Sequence, residues 1–238
     1  MLSKTIIFGK RSKEEGEKPF WISYADLMTA LMVMFLLVMS VALLAITNEI
    51  SEADRKEAER AQEIDRILAK IEEAARQYPG ISIDKNRSVI DFGDRARFET
   101  GSSRLSNDQA QYLSTFVSEI LSITRNELGK KWVKRIVVEG FADQRGNYLL
   151  NLNLSLQRAQ RVLCVLLAPP PEQAHVLSPD ELEQIRELFL VGGYSFNSAK
   201  ASMEESRRIE LRVEFLGLDE ARPKADEIPR GDFGTCRI

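Results

Sequence analysis

The sequence has little of the chemistry that enzymes rely on. Its single histidine, His175, stands alone in a proline-rich insert, and its two cysteines, Cys164 and Cys236, are far apart. Neither a metal cluster nor a nucleophile–base pair can be assembled from these. No glycine-rich loop is placed to cradle a phosphate. We therefore expect neither an enzyme nor a resident cofactor. The net charge of −3 gives no electrostatic footprint for nucleic acid, and no internal repeat is apparent.

One absence is local and decisive. No residue from Leu27 to Ile46 is charged, and about 20 helical residues at about 1.5 Å each match a hydrocarbon core of about 30 Å. The spacing predicts a single transmembrane helix over 20–46. Lys4, Lys10, Arg11, Lys13 and Lys18 precede it, whereas Glu49, Glu52 and Asp54 follow it. The positive-inside rule then puts the N-terminal segment 1–19 in the cytoplasm and the remainder outside, in the periplasm of a cell with an inner membrane. Ala42-Leu43-Leu44-Ala45 is a poor cleavage site, so the span reads as an uncleaved anchor. In an oxidising compartment, Cys164 and Cys236 read either as a disulfide fastening the C-terminal tail 219–238 or as two unpaired thiols.

Residues 47–80 read as a helical linker rich in charge, with an apolar stripe at Ile64, Ile67, Leu68 and Ile71. A stalk, a helix lying against a partner and a solvated connector all fit that stripe. Pro79-Gly80 closes it. The periodicity then changes, and an α/β domain is expected over 81–218. Strands are expected at Val89–Phe92, Val133–Glu139, "LFLVGGYS" and "RRIELRVEF", the last alternating Ile209, Leu211, Val213 and Phe215 with charges. One helix presents Ala110, Leu113, Val117 and Ile120 behind a capping box of Ser106 and Gln109. A second presents Ala159, Val162, Leu163 and Leu166 before the proline run 169–171, and a third starts at Ser178-Pro179. The expected order is β-α-β-α-β-β, a mixed sheet with helices on one face.

Asp26 lies near the start of the span. An intramembrane carboxylate costs several kcal/mol unless it faces a cavity or a partner, and one so placed can serve as an ion relay. Trp21 marks a membrane boundary nearby, so snorkelling to the interface remains an alternative. The stretch "WISYADLMTALM", Trp21 to Met32, resembles the span of the MotB family of stator B subunits. That resemblance implies that Asp26 is the ion-carrying acid, with Tyr24, Thr29 and Ala30 beside its path. It also implies a homodimer of this chain inside five multi-span A subunits of the MotA or ZorA type. Tyr24 leans the transported ion towards the proton.

The stretch "VEGFADQRGNYLLNLNLSLQRAQRV" is similar to the OmpA-like peptidoglycan-binding domain. Its matching residues are Gly140, Phe141, Ala142, Asp143, Gly146, Asn151, Leu154, Ser155, Arg158 and Ala159. Diaminopimelate in peptidoglycan ends in an ammonium and a carboxylate on one carbon, so an acid and a base a few ångströms apart would recognise it. The resemblance implies that Asp143 takes the ammonium and Arg158 the carboxylate, with Asn151, Leu154 and Phe141 in the site. An ordinary Asp143–Arg158 salt bridge joining loop to helix is the plainer alternative.

A short, helical connection and the "YPGISIDKNRSVIDFGDRARFETGSSRLS" run resemble the stator-like B proteins of Zorya anti-phage systems. That resemblance implies a proton-driven motor anchored to peptidoglycan that responds to envelope perturbation by phage. A flagellar stator B subunit and a passive OmpA-like wall anchor are the alternatives. A relative of the ExbD or TolR energisers would lack the wall-binding domain.

Overall fold

The computed structural model describes residues 20–168, 176–222 and Gly234, in two compact units that divide between Arg55 and Lys56. The segment 1–19, the proline run with His175, and Cys236 lie outside the described residues. Helix α1 (Phe20–Ala75) contributes to both units. It contains neither glycine nor proline and is rich in strong helix formers.

In the first unit, α1 is uncharged from Leu27 to Ile46, and Leu27, Leu31, Phe35, Leu37 and Leu44 are all exposed. It is the one helix among the described residues long and apolar enough to cross a membrane. Its hydroxyls turn back onto the helix: Thr29 Oγ1 donates to the Asp26 carbonyl at 2.9 Å, Ser40 Oγ to Leu36 at 2.7 Å, and Thr47 Oγ1 to Leu43 at 2.9 Å. Such back-bonding satisfies polar atoms where lipid offers no partner.

The second unit is a five-stranded mixed sheet in the order β1-β2-β5-β3-β4, with helices against one face. The strands are β1 (Ser82–Asp84), β2 (Val89–Asp91), β3 (Val133–Gly140), β4 (Phe189–Gly193) and β5 (Ile209–Phe215). Only the β3–β4 pair is parallel, because α4 (Tyr148–Leu167) and α5 (Pro179–Leu188) carry the chain from one to the other. Ile90, Ile136, Val138, Leu211 and Val213 face α2 (Asn107–Arg125) and α4 in the core. The opposite face is a ladder of ion pairs. Glu139 is gripped bidentately by Arg212 at 2.7 and 2.9 Å, Arg135 meets Glu214 at 2.5 Å, and Arg208 meets Glu210 at 2.7 Å. The alternation along "RRIELRVEF" is thus core against charge, as a strand with one buried face requires.

The expected capping boxes at Ser106–Gln109 and Ser178–Glu181 are both present. Ala110, Leu113, Val117 and Ile120 are buried as expected, as are Ala159, Val162 and Leu166, while Leu163 is half-buried. Several short elements exceed the sequence reading: strand β1, a 3-10 turn at Gly93–Ala96, and helices α3 (Glu127–Trp132) and α6 (Met203–Ser206). They contain three to six residues, too few to carry a period. Phe92 leaves the second strand and enters the core.

The largest departure concerns residues 47–80. The stretch is not a connector alone, because the stripe of α1 completes the core of the second unit. Ile67, Leu68 and Ile71 are fully buried there, with Ile64 packed at the edge. Each such side chain contributes about 1.5–3 kcal/mol by leaving water. Polar contacts fix its register: Glu63 accepts from Trp132 Nε1 and Lys131 Nζ, both at 2.5 Å, and Arg60 Nε donates to the Leu216 carbonyl at 2.9 Å. The second unit therefore begins well before residue 81.

Candidate functional site

The site in the second unit is built where β3 and β4 end against the first turns of α4. Close approach there is made possible by two glycines. A Cβ on Gly140 would lie 1.9 Å from the Ser155 carbonyl oxygen, and one on Gly193 would lie 2.7 Å from the Leu156 nitrogen. Ser155 then ties helix to strand: its hydroxyl accepts from Ser195 N at 3.0 Å and donates to the Leu152 carbonyl at 2.8 Å. With Asn147 capping α4 through Leu150 N at 2.8 Å, the loop from Phe141 to Gly146 is held at both ends.

Asp143 projects from that loop and is almost fully buried. Its carboxylate accepts from the Arg145 backbone at 3.1 Å, from Arg145 Nη2 at 2.6 Å and Nε at 3.2 Å, and from Arg207 Nη1 at 3.2 Å. Burial pushes its pKa up, but the bonds from Arg145 and Arg207 outweigh burial and hold it below the ordinary 3.8. In the same exchange, the bond to Asp143 raises the Arg145 guanidinium above its ordinary value.

Asp143 pairs with Arg145 and Arg207 and Arg158 bonds to main-chain carbonyls, so the plain Asp143–Arg158 salt bridge weighed as the alternative does not form. Arg158 has a relative exposure of 0 %. Its guanidinium donates to three main-chain carbonyls: Nη1 to Phe141 at 2.7 Å, Nε to Ser102 at 2.9 Å and Nη2 to Glu99 at 3.1 Å. The group also lies 5.0 Å over the Phe98 ring. Burial pulls its pKa down to about 10, with Asp143 opposing and Arg207 reinforcing the shift, so it stays charged at neutral pH. A buried cation is tolerable when its donors are spent on fixed acceptors. Arg158 is thus a rivet between the α4 helix, the β3 exit and the loop before α2.

The other expected site residues separate in the same way. Asn151 is buried and donates to the Arg145 carbonyl at 2.8 Å, shaping the loop. Leu154 is half-buried. Phe141 is buried, stacked 5.5 Å from Tyr194 with the Arg208 guanidinium 4.2 Å from its ring, on the ladder face of the sheet. Most of the motif is therefore internal wiring around one reachable ion pair. Two residues the motif did not single out, Arg145 and Arg207, both pair with Asp143. Arg145 has 48 % of its side chain exposed and donates also to Thr100 Oγ1 at 2.9 Å. Arg207 is anchored by the Phe98 and Met203 carbonyls at 2.8 and 3.1 Å. The signal for Arg145 was its place two residues after Asp143 in a glycine-ended loop, whereas nothing local marks Arg207.

In the first unit, Asp26 is exposed on α1, with Thr29 and Ala30 one turn on and Tyr24 exposed beside the turn before. The Thr29 hydroxyl is already spent on the Asp26 carbonyl. Cys164, on α4, is disulfide-bonded, and its expected partner Cys236 lies outside the described residues.

Residues 9–48 match the MotB plug family model, described as membrane MotB of the proton-channel complex MotA/MotB. The chain is 47% identical over 221 residues to the Zorya protein ZorB of Escherichia coli, covering 92% of this chain and 89% of that one. Among solved structures it is similar to a putative MotB-like protein from Desulfovibrio vulgaris, with TM-score 0.38, 18% identity and coverage of 67% of this chain and 95% of that one. It is also similar to an OmpA-like domain from Francisella tularensis, with TM-score 0.35, 16% identity and coverage of 58% and 82%.

Proposed function

The chain belongs to the ZorB family, and from that premise we propose that it is the wall-anchored stator B subunit of a proton-driven motor acting in anti-phage defence. It is a structural subunit of a membrane complex and not an enzyme. The observation that carries the motor reading is Asp26, the one acid on a span otherwise uncharged to Ile46. A carboxylate there is worth its insertion cost only if partner helices wall it from lipid and use its proton.

In this reading two copies of the chain sit inside five A subunits, and protons pass Asp26 without a resident cofactor. The basic residues before the span favour a cytoplasmic N-terminus and a periplasmic second unit, across the inner membrane. The second unit grips peptidoglycan through the Asp143 region, so that proton flow turns the ring against a fixed axle. Envelope damage during infection is the input.

Asp26→Asn keeps size and removes the titrating group. In cells carrying the complete system it should abolish protection in a plaque assay while leaving the chain membrane-inserted at normal abundance. Full protection by this variant would instead support a passive wall anchor.

A further inference from the structure

The sheet of the second unit has two edges, and they are built differently. At one edge, β1 has three residues and ends on the charged Asp84. At the other, β4 runs Phe189–Gly193 without a charge, a proline or a bulge. Among the described residues, no backbone bond reaches its outer side. Sheet edges are ordinarily blunted by shortness, charge or proline, because a bare edge recruits another strand. Exposed apolar side chains flank this one on both faces. Leu190 lies opposite Val137 and so faces the ladder, where it is 48 % exposed beside Tyr194 at 37 %. On the helix side Leu156 of α4, next to Gly193, is exposed as well.

We propose that β4 is the surface through which two copies of the second unit join, each strand pairing antiparallel with its counterpart about a twofold axis at Val191. The inference rests on the two-copy reading above and locates a contact within it. The register follows from the backbone. Tyr194 N donates to the Gly140 carbonyl at 3.0 Å, so strand alternation turns the N–H and C=O of Val191 and Gly193 outwards. Val191 then exchanges both bonds with the partner's Val191, and Phe189 pairs with the partner's Gly193. Leu190 falls opposite the partner's Gly192, a position without a side chain of its own. The Tyr194 ring covers that glycine so closely that a Cβ there would lie 3.1 Å from it. Leu190 of each copy therefore meets an aromatic surface of the other, a reciprocal fit that a twofold contact requires. No like charges are brought together, because the strand has none. Five paired residues bury too little to hold two free domains together. Two α1 helices in one complex supply the rest, by raising the effective concentration to roughly millimolar.

The test uses membranes from cells carrying the complete system. Under mild oxidation Val191→Cys should form a chain-to-chain disulfide, because a hydrogen-bonded antiparallel pair has its Cα atoms about 5.5 Å apart, within bridging range. Cys164 is already bonded and does not compete. Ser82→Cys, on the opposite edge, should stay unbridged. Adding Leu190→Lys to Val191→Cys should cut the bridged fraction by about ten-fold, since it places a charge on the paired edge. Amide exchange read by mass spectrometry should be slow over 189–193 in the wild type and faster in Leu190→Lys. Two copies per complex by native mass, with Val191→Cys bridging no more than Ser82→Cys, overturns the edge pairing. Bridging that Leu190→Lys leaves unchanged overturns it too. One copy per complex overturns the two-copy reading itself.

Discussion

Replacing Arg158 with alanine separates a rivet from a ligand contact. The substitution removes three charge-assisted bonds and orphans the carbonyls of Glu99, Ser102 and Phe141. It also empties the space over Phe98. Bonds to a charged group are worth about 1.5–3 kcal/mol each, but the three share one group, whose own burial is costly. That burial is visible in the fall of its pKa to about 10. A net loss of about 3–5 kcal/mol follows, as for breaking a buried charged network. For a domain of this size this lowers the thermal midpoint by about 10 °C. Near-ultraviolet circular dichroism melts of the full chain in detergent measure it, with sacculus co-sedimentation below the lower midpoint as the second readout. Arg158→Lys, which keeps the charge and one or two bonds, should fall between. The reasoning is refuted if Arg158→Ala melts with the wild type yet no longer binds sacculi, because Arg158 would then be spending its donors on the ligand.

Two further outcomes follow from the same geometry. Ile67→Ala should destabilise the second unit by about 2–5 kcal/mol, since Ile67 is fully buried in its core, whereas Ile50→Ala, at an exposed position, should leave its melting within about 0.5 kcal/mol; equal midpoints would return residues 56–75 to the role of connector. The Asp143 carboxyl has a folded pKa below its ordinary 3.8, so its stabilising ion pairs are complete above about pH 4 and lost as the pH falls through the lower folded value. Sacculus binding should accordingly be flat from about pH 5 to 8 and decline only below about pH 4. A decline centred near pH 6 would contradict this.

Regular patterns made much of the fold legible. The uncharged run from Leu27 to Ile46 could only be a span, because its length and composition match the bilayer rather than any neighbour in the chain. The alternation of Ile209, Leu211 and Val213 fixed a strand with one buried face, and the capping boxes fixed two helix starts. Strand β1 and helices α3 and α6 escaped because their identity comes from their partners. Ser82–Asp84 is a strand only because Asp91 to Val89 lie beside it.

The same division runs through the site. Asp26 stands out in the sequence because it is the one acid beside a run that is uncharged from Leu27 to Ile46. The motif from Gly140 to Ala159 drew attention to this region, but not to how its side chains are packed. Spacing placed Asp143 near the start of α4, yet could not say that Arg158 points into the protein or that Arg145 turns back over the carboxylate. Nor could it bring Arg207, 64 residues away, onto the same oxygen. Those facts depend on which guanidinium groups burial commits to main-chain carbonyls, and burial belongs to the packed structure. The stripe of Ile64, Ile67, Leu68 and Ile71 is the clearest case. Its amphipathicity was evident in the sequence, but only tertiary packing decided that the surface it covers belongs to its own chain.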